Sequence, residues 1–428
     1  MLGSVIDVDT HRSVIIDTGR PTVLDFFESS NEGRMPELIA LRCGRMLVSP
    51  FAFFRGSAGL MAGDLAAGPS IGLNAQLCGD AHASNFGLYG THDGRIVMDI
   101  NDFDETAQGP WEWDVKRLAA SLVVAGRVAG ASERGCRDAA EDAVRAYRGT
   151  VQHLASLSFL DSWTALGDDS VLDRVKAHDL LDDFAGAAKK ARKNTSARAS
   201  AKWTTTTAEG QKFVAKPPIL TEVGAATADS VMNGMTNYLR TLRDSRRHLL
   251  ARFSIADIAF RIGGTGSVGL RNYLILLRGN GEETVILQAK QAQPSVISRY
   301  VEQPVIPHEG ERIVHGARLV QTETDLFLGW TTIDGLPFIV RQARNLSGEI
   351  DVTSLADDHL DDYGRLAGAL LARAHSRSID PRILAGYASV SERMDGVIAR
   401  YAMAYADQTE ADHAALVQAV RDGRIPAT

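Results

Sequence analysis

The sequence is short of cysteine, of long apolar runs and of excess positive charge, and each shortage closes off a class of protein. Its three cysteines, Cys43, Cys78 and Cys136, are odd in number and widely spaced. That spacing fits neither a disulfide framework nor a zinc-ligand pattern, so reduced thiols are expected. No apolar stretch approaches the roughly 18 residues of a membrane span, and no charged-then-apolar leader opens the chain. A cytoplasmic protein with no membrane partner is the expectation. The net charge of −7 gives no basic footprint for nucleic acid, so no nucleic-acid partner is expected either. No short internal repeat is visible.

The 428 residues, 45% hydrophobic and 23% charged, are enough to bury a large core and to divide into two lobes. The most informative stretch is 77–114. Gly79-Asp80 is followed five residues later by Asn85, and a strand candidate over 95–100 then leads into Asn101-Asp102-Phe103-Asp104. Asp and Asn at that spacing are what a kinase catalytic loop uses, the Asp to orient an attacking hydroxyl and the Asn to hold magnesium. An Asp-Phe delivered by a short strand is where such a site carries its main metal-binding carboxylate. Phosphoryl transfer needs these parts because dense phosphate charge is offset only by divalent metals and pre-aimed donors. Gly, Asp and Asn are also ordinary turn residues. The motif therefore gains its weight from the strand-borne Asp102-Phe103-Asp104, from Gly109-Pro110 and from a helix opening at Asp114. A calcium loop over 99–104 fails, because Phe103 holds a ligand position and no Gly or distant Glu stands at the required offsets.

Asp80, Asn85, the Asn-Asp-Phe-Asp run and the later Trp-Asp-Val-Lys-Arg-Leu helix resemble the catalytic half of aminoglycoside phosphotransferases and choline kinases. The segments SPFAFFRG, QLCGDAH, NFG, NDFDETAQGPWEWD and KRLAAS resemble, over most of the chain, the bacterial family called domain of unknown function 2252, a likeness that carries no activity with it. Cys78 stands where the phosphotransferases place the His that supports the loop.

In chain order, 1–34 reads as a polar arm or peripheral strand. Helical spacing then runs around a Ser49-Pro50 break, with Phe51, Phe53 and Phe54 expected in the core and Arg55 as a phosphate-binding or salt-bridged residue. After Asp114, read as a brace for the catalytic loop, Val115, Leu118, Ala119, Leu122 and Val123 mark a helix with Lys116 and Arg117 facing elsewhere. A second helix covers 137–157. The basic run Lys189, Lys190, Arg192, Lys193, Arg198 and Lys202 reads as a solvated face.

A second constellation begins near 255. Strands over 257–262 and 272–277 flank the Gly-rich turn Gly263-Gly264-Thr265-Gly266-Ser267-Val268-Gly269, whose amides are free of side-chain obstruction toward phosphate oxygens. A strand over 285–289 ends at Lys290, where a kinase-like lobe carries its phosphate-binding lysine. A helix over 308–323 should supply the carboxylate that pairs with Lys290, Glu311 first, with Glu302 and Glu323 as competitors. Two more strands are expected at 326–332 and 338–342, and a helix ending near His375 is similar to the one that precedes the catalytic loop in aminoglycoside phosphotransferases.

The parts are complete but rotated in order. The expected fold is α+β, a two-lobed protein-kinase-like domain in circular permutation: arm 1–34, large-lobe part with catalytic loop 35–157, helical connection 158–250, small-lobe sheet 251–345 and closing helices 346–428. The expected function is an ATP- and Mg2+-dependent phosphotransferase. Asp80 is the catalytic carboxylate, and Asn85 and Asp102 hold metal, with Asp104 and Asp99 as second-rank metal or structural carboxylates. Gly263, Gly264, Thr265, Gly266, Ser267, Lys290 and Glu311 hold nucleotide, and His82 and Arg55 support substrate or loop. A catalytically silent nucleotide-binding protein and a nucleotidyl transferase remain alternatives, and the acceptor, a small molecule or a protein, is left open.

Overall fold

The computed structural model describes residues 7–428 apart from 92–93, 166–171, 173, 209, 282, 344–345, 356 and 389–391; of Thr265, Asp357 and Asp358 only the backbone is described. The chain is a mixed α+β protein in which a helical body meets a six-stranded antiparallel sheet, and the cleft lies where they meet.

Twelve strands are described: β1 (Asn74–Leu77), β2 (Phe86–Gly90), β3 (Ile96–Ile100), β4 (Ala107–Pro110), β5 (Thr204–Thr207), β6 (Gly210–Phe213), β7 (Leu220–Glu222), β8 (Ser254–Arg261), β9 (Asn272–Arg278), β10 (Thr284–Gln291), β11 (Gly329–Ile333) and β12 (Leu336–Gln342). The large sheet runs β11-β12-β10-β9-β8-β7, and β1–β4, β2–β3 and β5–β6 form separate antiparallel pairs. Strand β9 is central and buried on both faces. Side chains alternate across a strand, so Tyr273, Ile275 and Leu277 pack with Val231, Met235 and Tyr238 of the Ala225–Tyr238 helix on one face. Leu274 and Leu276 pack with Ala199 and Phe213 on the other. In β10, Lys290 pairs with Asn272 and Ile339, near the end of the strand.

The helical body is built on the Trp111–Ala129, Glu133–Ser156, Asp357–Ser376 and Arg393–Arg421 helices. Two of them touch at backbone distance. A Cβ at Gly364 would stand 2.7 Å from the Ala139 carbonyl, and one at Gly368 would strike the Ala143 carbonyl, so only glycine permits this crossing.

Three expectations change here. Among the described residues 7–34 no strand forms: a 3-10 turn at Val8–Arg12 and a helix at Val23–Ser29 are described, the latter opened by a Thr22–Asp25 capping box. Val23, Phe26 and Phe27 pack with Leu416 and Ala419 of the last helix, while Arg20 pairs with Asp64 (2.7 Å) and Asp412 (2.6 Å). Apolar contact and a buried ion pair hold this segment, where an arm or a peripheral strand was expected. Second, Lys116 and Arg117 do not face solvent. The Trp111–Ala129 helix is enclosed on all sides, so both are buried, Lys116 under the Tyr401 ring at 4.7 Å. Third, the helix expected over 308–323 runs Glu309–Val320, with the His308 ring accepting the Glu311 amide as its cap. The aromatics Phe51, Phe53 and Phe54 are core residues, and every member of the basic run 189–202 is exposed.

Candidate functional site

Two loops and two sheets converge on one cleft of about 670 Å³, within the usual range for small-molecule sites, roughly 300–1,000 Å³. Its lining includes Asp80, His82, Asn85, Asp102, Asp104 and Lys290; Arg55, Gly263, Gly264, Gly266 and Ser267 line it as well.

The first loop follows β1. Gly79 adopts φ +82, open to glycine, and its Cα abuts the Glu105 carbonyl so closely that no side chain fits. Asp114, at the start of the Trp111–Ala129 helix, accepts from the Cys78 amide (2.8 Å) and the Gly79 amide (3.1 Å). Behind it, Asp114 stands 3.3 Å from His375 Nε2, and His375 Nδ1 meets the Tyr147 hydroxyl at 2.8 Å. With these two amides satisfied by a carboxylate, the loop is rigid without a His at position 78. Tyr363 adds a hydrogen bond to the Ala83 carbonyl (2.6 Å), so the Asp357–Ser376 helix also packs on the loop.

Asp80 then points into the cleft. Arg117 Nε donates to its Oδ1 at 2.5 Å, and His82 Nε2 lies 3.7 Å from its Oδ2. Burial pushes the His82 imidazole down to about 4, against the pull of Asp80, so this ring is neutral at neutral pH. Asn85 donates its amide N–H to the Asp80 carbonyl (2.6 Å), which leaves the amide oxygen as the atom it offers a ligand.

The second loop follows β3. Asp102 Oδ1 accepts from the Asp104 amide (3.2 Å), while Lys290 Nζ stands 3.7 Å from Asp102 Oδ2 and in direct contact with Asp104. Burial works against the Asp102 anion, but Lys290 and then Arg341 outweigh it and hold the carboxyl at about 2. Asp104 is pushed up, first by burial and then by Asp102. Burial lowers Lys290, yet the two carboxylates overcome it and raise the ammonium. Two carboxylates share one ammonium.

Glu311 is a correction. Its side chain is not part of the cleft lining; it lies 3.7 Å from His315 Nε2 on the same helix. Glu302 is exposed, and Glu323 offers its backbone carbonyl to Tyr89. The helix turns a different residue inward, Arg312, which donates to the carbonyls of Asp104 (2.9 Å), Gln293 (2.8 Å) and Thr106. Sequence reasoning missed Arg312, and its i, i+3 pair with Glu309 gave no inward signal. Asp99 is a structural carboxylate: wholly buried, it pairs with Arg373 and accepts from the Thr322 amide (2.8 Å).

The Gly-rich segment is a single 3-10 turn, Thr265–Ser267, between β8 and β9. Arg45 donates to the Gly263 carbonyl, Arg34 to Val268 (2.5 Å), and the Met35 amide to Gly269 (2.8 Å). Residues 34–45 thus fasten the turn that roofs the cleft.

Among the described residues no group of three His, Cys, Asp or Glu side chains is set to hold a metal ion. Asp102, Asp104 and the Asn85 oxygen form a hard donor set, and magnesium needs only one or two carboxylates when phosphates complete its shell. The residues present fit such an ion, and an all-protein cage is absent among them. Among the described residues no helix is long and apolar enough to cross a membrane.

Fold and cleft together define a mixed α+β protein with a cleft lined by carboxylates, arginine and lysine. The chain belongs to the family described as "Uncharacterized protein conserved in bacteria (DUF2252)", whose model matches residues 34–419. No curated protein and no solved structure matches it.

Proposed function

We propose that the chain is an ATP- and Mg2+-dependent phosphotransferase on a circularly permuted, two-lobed kinase-like fold. One observation carries the reading. Lys290, at the end of a strand beside the Gly-rich turn, meets Asp102 and Asp104 across the cleft, and the Asp80–Asn85 loop lines the same cleft. Support also comes from Asp114 holding two loop amides and from the packing of the Asp357–Ser376 helix on that loop.

In this reading ATP is the substrate. Lys290 neutralises phosphate oxygens, and the Gly264–Ser267 backbone covers them. Mg2+, when bound, would be held by Asp102, Asp104 and the Asn85 oxygen and would supply neutralisation of the phosphates. Asp80 orients an acceptor hydroxyl. Its oxygen bonds to the γ-phosphorus as the bond to the bridging oxygen of ADP breaks, and the hydroxyl proton passes to Asp80. Arg117, bonded to Asp80 Oδ1, fixes the carboxylate so that Oδ2 faces the cleft.

That same arginine favours a second reading, nucleotide binding without turnover, since its guanidinium already occupies Asp80 Oδ1. Incubating the protein with ATP labelled at the α- or the γ-phosphate and a bacterial metabolite extract separates the cases. Transfer of the γ-label is expected. Transfer of the α-label would replace phosphoryl by nucleotidyl transfer, and no transfer with retained binding would establish the silent form.

A further inference from the structure

One wall of the cleft is made by arginines that neither the nucleotide nor the metal set accounts for. Arg34, Arg42 and Arg55 all line it, and none makes an ion pair among the described residues. Arg42 is 2% exposed, its Nη groups donate only to neutral partners (Ser30 Oγ, Asn31 Oδ1 and the Gly56 carbonyl), and its Nε has no partner. Arg34 donates to the Ser30 and Val268 carbonyls, with Asp104 and Glu105 in electrostatic range but not in contact. Arg55 makes no side-chain hydrogen bond among the described residues, and its Nε is buried without a partner. Folded proteins rarely bury guanidinium groups beside one another with no counter-anion, because each loses hydration without a replacement charge.

We propose that Arg34, Arg42 and Arg55 form an oxyanion-binding wall that holds a phosphate group of the acceptor, making the acceptor a phosphorylated small molecule. The proposal rests on the phosphotransferase reading, since it names the acceptor of that reaction. Arg55 lies close enough to His82 for its charge to bear on the imidazole, and His82 is 3.7 Å from Asp80, the carboxylate assigned to the acceptor. His82 itself is 3% exposed and keeps Nδ1 buried without a partner, a second polar atom lacking a ligand on this side. In the proposed reading Lys290 and the two metal-loop carboxylates take the nucleotide's phosphates, which leaves the arginines for a second anion, with Arg34 still in electrostatic range of Asp104. Guanidinium forks match the oxygens of a phosphate in pairs, and three of them suit a dianion better than a single carboxylate. A cationic acceptor would meet three like charges.

The experiment is calorimetric titration of the full chain with inorganic phosphate, alone and in saturating Mg-ATP. Phosphate is expected to bind in both, and Arg55→Gln to weaken it at least tenfold while leaving the Mg-ATP titration unchanged. If Arg55→Gln fails to fold, Arg55→Lys, which keeps the charge but loses the paired donors, is read in its place. Absence of phosphate binding while Mg-ATP binds overturns the acceptor wall and leaves the nucleotide reading intact. Loss of phosphate binding on ATP saturation also overturns it, by assigning the arginines to the nucleotide's own phosphates. Arginine-dependent phosphate binding without any ATP binding upholds the wall and removes the phosphotransferase reading.

Discussion

Lys290 Nζ stands 3.7 Å from Asp102 Oδ2 and touches Asp104, although the lysine closes a strand of the large sheet and the two carboxylates follow a separate two-stranded ribbon. Nothing local enforces that meeting; it is built by packing across the cleft. Mg-ATP bound there stabilises the native state by mass action, about 2.7 kcal/mol at a hundredfold excess over Kd. Millimolar Mg-ATP is therefore expected to raise Tm by several degrees. Lys290→Met is expected to abolish most of that rise while costing about 1–3 kcal/mol of its own, less than for a fully enclosed pair because Asp102 and Asp104 reach solvent. Differential scanning calorimetry with and without nucleotide checks both.

Asp80 and Asp102 are expected to fail in different ways. Asp80→Asn keeps the size of the side chain and leaves the metal loop untouched, so nucleotide affinity should stay within about twofold while transfer falls on the order of 10²-fold or more. Asp102→Asn removes an anionic oxygen from a hard cation and should weaken Mg-ATP itself. Titration calorimetry beside a single-turnover assay separates them. Identical behaviour of the two variants would dissolve the assignment of roles.

The parts legible in the sequence are those in which chemistry fixes spacing. Asp80 with Asn85, the Asn101–Asp104 run and Lys290 at a strand end each read locally, and the structure brings all of them to one cleft. Three features were out of reach, each for a physical reason. Arg312 replaces the expected Glu311 as the inward residue because the rotation of the Glu309–Val320 helix is set by packing, whereas charge preference at a helix start points to the glutamate. Lys116 and Arg117 read as lying off the apolar face because charge on a helix normally marks another face, whereas this helix is enclosed all round. The arginine wall is invisible because Arg34, Arg42 and Arg55 follow no motif and reach one cleft only when a bend and two short helices fold beside the Gly-rich turn.

Lys116 gives a pH prediction. Burial pushes its ammonium down to about 8, against the pull of Glu112, and the Tyr401 ring is its cationic contact. A lysine whose folded value lies below the unfolded value of 10.5 costs stability fully below the folded pKa. The cost is relieved as pH rises from about 8 toward 10.5, where the native state has already lost the proton that the unfolded chain keeps. Lys116→Met should therefore stabilise the protein by ~1 kcal/mol at pH 7, after the lost cation–π contact is set against the removed desolvation. The advantage should shrink between pH 8 and 10. A constant difference across that range, read from Tm, would mean that Lys116 is not the titrating group.

Gly79 tests how firmly the loop carrying Asp80 is held. Its φ of +82 is a conformation that L side chains rarely adopt, and an added Cβ would collide with the Glu105 carbonyl. That carbonyl cannot retreat freely, because it also accepts from the Ser295 hydroxyl at 2.7 Å, while the Glu105 carboxylate takes the Val296 amide at 2.7 Å. On the other side Asp114 grips the Cys78 and Gly79 amides, so the loop cannot rotate away without losing two charge-assisted hydrogen bonds. Gly79→Ala is therefore expected to cost about 2–4 kcal/mol, from left-handed strain of roughly 1 kcal/mol plus the displaced contact. Asp114→Asn should cost less, about 1–2 kcal/mol, because the amide oxygen still accepts from one loop N–H. Both changes strike the contacts that seat the loop carrying Asp80, Gly79 against the Glu105 carbonyl and Asp114 on the Cys78 and Gly79 amides. Each should lower transfer by more than the fraction of unfolded protein explains, which chemical denaturation and initial-rate assays on the same preparations measure together. A Gly79→Ala variant as stable and active as the parent would show that the glycine is not needed to hold the two loops together.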